Sequence, residues 1–276
     1  FPDIVKQYDD YSIREVLHNC IAHQDYTMQE RITMVEEPDS ITFANGGFFL
    51  PGSVKNAIEQ NGPQKFYRNY VLCQGMVNFN MIDTIGRGIR KVFTEQQKRF
   101  FPMPDYQIDQ AKKEVVVKIY GKILDEKYYR LLRANQDLSL FDCIALDMVQ
   151  KHEIIDKETT SRLKKLHLVE GRYPKLFLSE YVAKTADNDE LKTEYIKNRS
   201  FNDSHFKDME LLCHAGVAIK RKLTRAAILL LGKETSTHLI SPAVATITWV
   251  LVDEHNEKID YEHFSTPFIL TVNEAL

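Results

Sequence analysis

The sequence has little of the residues that break or cross-link a chain. Its 276 residues include only 11 Gly and 9 Pro, which excludes a collagen-like repeat and a broadly disordered chain. No apolar run approaches the length of a bilayer span. The four cysteines form no C-x-x-C pair, which argues against a zinc site and indicates buried thiols in a reducing compartment. They are Cys20, Cys73, Cys143 and Cys213.

Two catalytic signatures are also missing. The sequence contains no G-x-x-x-x-G-K-[ST] loop, so the chain is not a P-loop motor. It has no G-x-S-x-G elbow to support a Ser-His-Asp nucleophile. The net charge of −3 provides no overall attraction to nucleic acid, so any such contact has to come from a local patch.

What remains is an ordinary globular composition, 43% hydrophobic and 27% charged, which indicates one large or two smaller domains of the α+β class. Apolar periodicity predicts a first helix over residues 12–23 with Ser12 as its N-cap. Further helices are predicted at residues 51–61, 69–79, 88–97, 128–133, 138–149, 157–166 and 223–232. Strands are predicted at residues 31–35, 40–43, 114–120, 168–170, 175–179 and 244–252. Residues 267–276 fit either a strand or a helix.

Three polar side chains are spaced four residues apart on the first predicted helix. Glu15, Asn19 and His23 would therefore lie in one row along its surface. A row of polar groups on a packed helix needs a partner, because buried polar groups are unfavourable alone. The same spacing also fits a solvated polar face, so the row by itself leaves both interpretations open.

Two glycine-containing loops accompany this helix. Asn45, Gly46 and Gly47 follow a predicted strand, where glycine permits close approach of the backbone to a ligand. Gly86 and Gly88 precede a predicted helix, an arrangement that can hold phosphate. Each loop taken alone is equally consistent with an ordinary connection.

In this order, the helix and the two loops resemble the nucleotide site of the GHKL (Bergerat-fold) ATPases. IREVLHNCIAHQDYT, FANGGFFLPGSV and NMIDTIGRGIRKVF are also similar to the GHKL-like domain of the RecG-related family. These bacterial transcriptional regulators carry a Schlafen-type AlbA-like domain, this GHKL-like domain and then a winged helix. The resemblance implies that Asn19 binds Mg²⁺, that Glu15 activates water, and that the two glycine loops surround ATP. His23 is a further candidate cofactor contact; it could also form a metal pair with Asp25, or pack and support Asn19. The adenine-contacting Asp of GHKL proteins has no counterpart at Phe43-Ala44-Asn45.

The resemblance also predicts the domain organisation. It implies a GHKL-like domain at residues 1–121, a winged helix at 122–183 and a linker or exposed helix at 184–209. Residues 210–276 are similar to a segment that precedes residue 1 in this family. We therefore expect them to complete the GHKL-like domain, and we expect a seam near residues 209–211.

The predicted winged helix, three helices closed by a hairpin, carries the local positive patch. Residues 157–175 contain six basic and two acidic side chains, and basic side chains contact phosphates. A winged helix that binds protein remains the alternative. The candidate DNA contacts are Lys157, Arg162, Lys164, Lys165, Arg172 and Lys175.

Three functions follow as hypotheses. The first is a nucleotide-responsive, DNA-binding transcriptional regulator that takes ATP and Mg²⁺. The second is a weak ATPase in DNA processing or defence, with Glu15 as the catalytic residue. The third is a GHKL-like scaffold that binds neither ligand. For all three we expect a cytoplasmic protein without membrane partners, and a homo-oligomer is left open.

Overall fold

The computed structural model describes residues 7–59, 67–82, 86–179, 212, 215–219, 222–232 and 234–274. The chain divides into two compact units. The sheet unit comprises Tyr8–Val92, Asp105–Ile119 and Phe201–Leu276. The hairpin unit comprises Phe1–Gln7, Phe93–Pro104 and Tyr120–Ser200. The seam expected near residues 209–211 and the linker expected at 184–209 lie outside the described residues.

The sheet unit is built on a six-stranded mixed sheet, which confirms the α+β class. Its strand order is β10-β9-β1-β2-β4-β3. β1 pairs with β2 in the predicted antiparallel hairpin, and it pairs in parallel with β9 on its other side. The strands are β1 (Ile32–Glu37), β2 (Ser40–Gly46), β3 (Asp105–Asp109), β4 (Glu114–Tyr120), β9 (Ile247–Val252) and β10 (Lys258–Phe264).

The described helices of this unit are α1 (Asp10–His23), α2 (Val54–Glu59), α3 (Tyr70–Asn78), α8 (Arg225–Leu231) and α9 (Phe268–Glu274), together with a 3-10 helix at Glu234–Ile240. Helix α1 packs against β2 of the sheet, and α3 packs against α1 and α8. A two-residue pair, β7 (Ala218–Ile219) and β8 (Lys222–Leu223), precedes α8. Residues 268–274, which the sequence left between strand and helix, form a helix.

The core of the sheet unit lies between α1 and the sheet. Leu17 and Ile21 of α1 and Phe43 of β2 are fully buried, and each such side chain contributes about 1.5–3 kcal/mol by leaving water. Cys20 and Cys73 are buried free thiols in this core, and Cys143 is buried in the hairpin unit. Cys213 lies outside the described residues.

The hairpin unit contains three helices followed by a two-stranded hairpin. They are α5 (Glu126–Ala134), α6 (Leu140–Gln150), α7 (Lys157–Lys165), β5 (Val169–Arg172) and β6 (Lys175–Leu178). Helix α4 (Gly88–Lys98) begins in the sheet unit and ends in the hairpin unit. Tyr128, Leu131, Leu146 and Leu163 form the buried interior of the three helices. No helix in the described part of the chain is long and apolar enough to cross a bilayer.

Candidate functional site

Helix α1 places the predicted polar row, and its cap differs from the prediction. Asp9, not Ser12, is the N-cap: its carboxylate accepts a hydrogen bond from the Ser12 backbone N–H at 2.8 Å. The Ser12 hydroxyl also donates to Asp9, and Ser12 is buried one turn into the helix. The error arose because Asp and Ser are equally good caps, and they lie within one turn of each other here. The helix still ends at His23, so the row keeps the predicted spacing.

Glu15 and Asn19 are in direct contact. Asn19 Nδ2 donates to Glu15 Oε1 at 3.0 Å, and the Tyr11 hydroxyl donates to Glu15 Oε2 at 3.3 Å. The ammonium group of Lys91 lies 3.4 Å from the centre of the Tyr11 ring. The carboxylate of Glu15 is therefore fixed from two sides by neutral donors, one turn of helix away in each direction.

The second glycine loop reaches the same place. Gly88, the first residue of α4, lies so close to Glu15 that a Cβ atom there would overlap the carboxylate. Glycine is thus required at this position for α4 to begin beside α1. Gly86 has a φ of +70° and lines one cavity with Glu15, Asn19, His23 and Gly88. Residues 83–85 of this loop are outside the described residues.

His23 supplies a neutral imidazole to the site. Burial lowers its pKa to about 4, and the positive charge of Arg68 acts in the same direction. The Nδ1 atom is buried and has no hydrogen-bond partner among the described residues. A neutral imidazole carries one donor and one acceptor nitrogen, so His23 keeps one hydrogen-bonding atom for a water molecule or a ligand.

The residues of the first glycine loop have two different roles: one lines a cavity, and the other two form backbone hydrogen bonds within the fold. Asn45 is buried and lines a second cavity together with Asn19 and His23. Gly46 instead receives the side chain of Gln24, since its N–H donates to Gln24 Oε1 at 2.9 Å. Gly47 has a φ of +128° and donates to the Lys113 carbonyl at 2.5 Å. Neither Gly46 nor Gly47 lines either cavity.

The size of the two cavities limits what the site holds in this arrangement. Each has a volume of ≈ 40 Å³, close to the ~30 Å³ that one water molecule occupies in the liquid. Sites for small molecules typically measure about 300–1,000 Å³, so ATP does not fit. Glu15 and Asn19 offer oxygen ligands of the kind that Mg²⁺ takes while it keeps several waters. Among the described residues, no three His, Cys, Asp or Glu side chains form a metal cluster.

The six predicted DNA contacts lie on α7 and the β5–β6 hairpin, and all six are exposed. Asp156 caps α7, and its carboxylate accepts from the Thr159 N–H at 2.8 Å. Arg172 and Lys175 are cross-strand partners at the tip of the hairpin. The ammonium group of Lys164 donates to the Gly171 carbonyl at 2.7 Å and so ties α7 to the hairpin.

Arg162 differs from the other five. Its guanidinium pairs with Asp142 of α6 at 2.7 Å, and its Nε donates to the same carboxylate oxygen at 3.0 Å. The other five have no acidic partner in the described part of the chain. Arg162 thus holds α7 against α6, and its charge is largely compensated within the unit.

Two residues of the candidate site were missed from the sequence. Tyr11 precedes Glu15 by four residues, so the spacing that predicted the row already extends to it. Arg68 stands 43 positions after Asp25, to which its guanidinium is paired at 3.2 Å, and no sequence spacing indicates this contact. Arg68 also lies within 3.1 Å of the point where a Cβ atom on Gly47 would be.

Comparisons with known proteins find a distant structural neighbour. No family model and no curated protein matches this chain. The chain is similar to the crystal structure of the DIP2311 protein from Corynebacterium diphtheriae at 15% sequence identity and a TM-score of 0.42. The similarity covers 65% of this chain and 42% of that one, so this chain spans less than half of its neighbour's length.

Proposed function

We propose that this chain is a DNA-binding transcriptional regulator in which the hairpin unit, a winged helix, contacts DNA. The observation that carries the proposal is the set of exposed basic side chains on α7 and the hairpin, five of which have no acidic partner in the described part of the chain. The sequence surrounding them has a local excess of positive charge in a protein of net charge −3.

The two basic elements have distinct roles in this proposal. Helix α7 presents Lys165 at its end, and the hairpin tip presents Arg172 and Lys175, so a duplex would be contacted by a helix and by an adjacent loop. Contacts of this kind neutralise phosphates and release counterions, which makes affinity fall steeply with salt. Asp156 and Glu158 at the start of α7 would repel phosphates, so we place the contacting surface toward the end of α7 and the hairpin.

The experiment is fluorescence anisotropy of a labelled 20-base-pair duplex with the full chain at several salt concentrations. The variant Lys165→Ala/Arg172→Ala removes two phosphate contacts. The plot of the logarithm of the binding constant against the logarithm of the salt concentration has a negative slope, which should become shallower by about 2 in this variant. Lys55→Ala is the matched control, because Lys55 is an exposed lysine of the sheet unit whose nearest acidic partner is 4.0 Å away. Equal affinity and slope for the double variant and the control would contradict DNA binding by this surface.

We further propose that the Glu15–Asn19–His23 site makes the regulator responsive to Mg²⁺-ATP. The observation in favour is the convergence of a carboxylate, an amide, a neutral imidazole and two glycines on one small cavity. Because the cavities hold only water-sized groups, nucleotide binding requires the lining residues to move apart from the described arrangement. We derive no hydrolytic step from this geometry.

Calorimetric titration of Mg²⁺-ATP tests this second proposal, with Asn19→Ala as the site variant. Saturable binding that the variant loses would support a nucleotide site, and DNA affinity should then change when ATP is present. ATP turnover abolished by Glu15→Ala would favour the ATPase hypothesis instead. Absence of binding to the unmodified protein would contradict nucleotide responsiveness and favour the scaffold hypothesis for the sheet unit.

A further inference from the structure

The sheet unit contains a third, much larger cavity that Glu15 does not line. It has a volume of ≈ 530 Å³ and lies between the start of α3, helix α8 and the segment that follows the 3-10 helix. We call it the α3–α8 cavity, and the lining residues that matter most below are Arg68, Val71, Leu72, Arg225, Leu229 and Ala243. The cavity opens to the surface, where Tyr70 and Arg225 are exposed, so it is filled by solvent or by a ligand.

Its wall is mainly apolar, and the fold already uses most of its polar side chains. Asn69 Nδ2 donates to the carbonyls of Ala22 and Gln24 at 3.0 and 2.8 Å. The Thr224 hydroxyl donates to the Val217 carbonyl at 2.8 Å. These groups support the wall and have limited capacity left for a ligand. An occupant would therefore bury an apolar body against Val71, Leu72 and Leu229.

The charges on the wall leave one positive charge in excess. Arg68 pairs with Asp25 at 3.2 Å, and its Nη2 donates to the Phe48 carbonyl at 2.9 Å. The hydroxyl of Thr27 and the charge of Arg68 hold the pKa of Asp25 below its usual range, so this carboxylate is ionised. Arg225 is exposed, lines the cavity and has no acidic partner among the described residues.

Arg68 also carries a hydrogen-bonding atom that the fold does not use. Its Nε atom is buried and has no partner within the described part of the chain. Buried donors of a charged group are unfavourable when they stay unsatisfied. Because protein atoms enclose this nitrogen, a ligand in the cavity would interact with Arg68 through the charge of its guanidinium, and carboxylates and phosphates are the anions that arginine binds best.

We infer that the α3–α8 cavity binds a small monocarboxylic acid with an apolar body. The volume matches the range of small-molecule sites, the wall provides the apolar surface, and Arg225 and Arg68 provide the cationic end. The single excess positive charge favours a monoanion over a phosphate ester or a nucleotide. Arg68 lies near both His23 and this cavity, but Glu15, Asn19 and His23 do not line the cavity, and the inference does not depend on the function proposed above.

The test is calorimetric titration of decanoate and of 2-naphthoate into the full chain at pH 7.5. At least one should bind saturably with one site per chain, and decanol, which lacks the carboxylate, should bind at least tenfold more weakly than decanoate. Arg225→Gln should weaken binding about fivefold, because it removes the excess charge at an exposed position.

A filling variant distinguishes this cavity from other apolar surfaces. Ala243 is half-buried in the wall, so Ala243→Phe should occupy the space and abolish binding. Ala111→Phe, at an exposed turn between β3 and β4, adds the same ring elsewhere and should leave binding unchanged. Retained thermal unfolding temperatures would show that both variants fold. The inference is overturned if neither acid binds saturably, or if Ala243→Phe and Ala111→Phe bind equally well.

Discussion

The contact between Gly88 and Glu15 makes a quantitative prediction about the candidate site. In Gly88→Ala, the new methyl group would overlap the Glu15 carboxylate, which has to leave its bonds with Asn19 and Tyr11. Overpacking typically costs about 1–3 kcal/mol, while alanine gains up to about 1 kcal/mol over glycine in a helix. We therefore expect Gly88→Ala to lower the free energy of unfolding by about 1–2 kcal/mol.

The same substitution should behave differently once Glu15 is shortened. In a Glu15→Ala background there is room for the methyl group, so Gly88→Ala should be neutral or stabilising by up to about 1 kcal/mol. The coupling energy between the two positions is then about 2 kcal/mol, within the range for residues in contact. In a Glu15→Gln background, which keeps the length of the side chain, Gly88→Ala should remain destabilising.

Urea unfolding followed by fluorescence measures these differences. Trp249 is the single tryptophan, and it lies on β9 in the same unit, with its Nε1 donating to Glu36 at 3.2 Å. Equal effects of Gly88→Ala in the unmodified and Glu15→Ala backgrounds would refute the reasoning, because the two side chains would then not share the space between α1 and α4.

Three further predictions concern pH, a buried carboxylate and the hairpin. Burial lowers the pKa of His18 to about 4 from 6.5, so the unfolded state binds more protons than the folded state between these two pH values. The free energy of unfolding should therefore rise by about 2 kcal/mol from pH 5 to pH 7 because of His18. Urea titrations of His18→Gln should lack this contribution to the pH dependence of stability. Asp147 is buried, accepts a hydrogen bond from the Met103 N–H at 3.0 Å and pairs with Lys151 at 2.7 Å. Asp147→Ala should therefore lower the free energy of unfolding by about 3–5 kcal/mol, and Asp147→Asn should lower it by less. Urea unfolding followed by circular dichroism measures both effects. Gly171 has a φ of +96°, and a Cβ atom there would lie 2.6 Å from the Lys175 carbonyl oxygen. Gly171→Ala should therefore distort the hairpin and weaken DNA binding in the anisotropy assay without removing a charge. Unchanged affinity for DNA would contradict a role for the hairpin.

Local patterns in the sequence predicted the buried elements well. The apolar spacing of α1, the β1–β2 hairpin and the alternation of β4 were all confirmed, because each of them buries one complete face. Strands β3 and β10 were missed. They form the two edges of the sheet, and six of the seven residues of β10 are exposed, so neither carries the alternation of buried and exposed residues that identifies a strand.

Residue spacing alone predicted the part of the candidate site that lies on one helix, and the resemblance added Asn45, Gly86 and Gly88, which line its cavities. Glu15, Asn19 and His23 follow from four-residue spacing on α1. The contact of Gly88 with Glu15 depends on how α4 packs, and the pairing of Arg162 with Asp142 spans 20 positions. Such contacts are set by tertiary packing, which a periodic pattern does not encode.

The position of β9 has a consequence for how this protein is made. β1 pairs with β2 along one side, but its other side pairs with β9, which begins 127 residues after β4 ends. At about 5–20 residues per second, a ribosome needs roughly 6–25 s to deliver that strand. During this interval the nascent sheet has a bare edge at Ile32 and Met34, both of which are buried in the finished protein. Unsealed strand edges are templates for aggregation. Chaperone protection of this edge during synthesis should therefore raise the yield of folded protein.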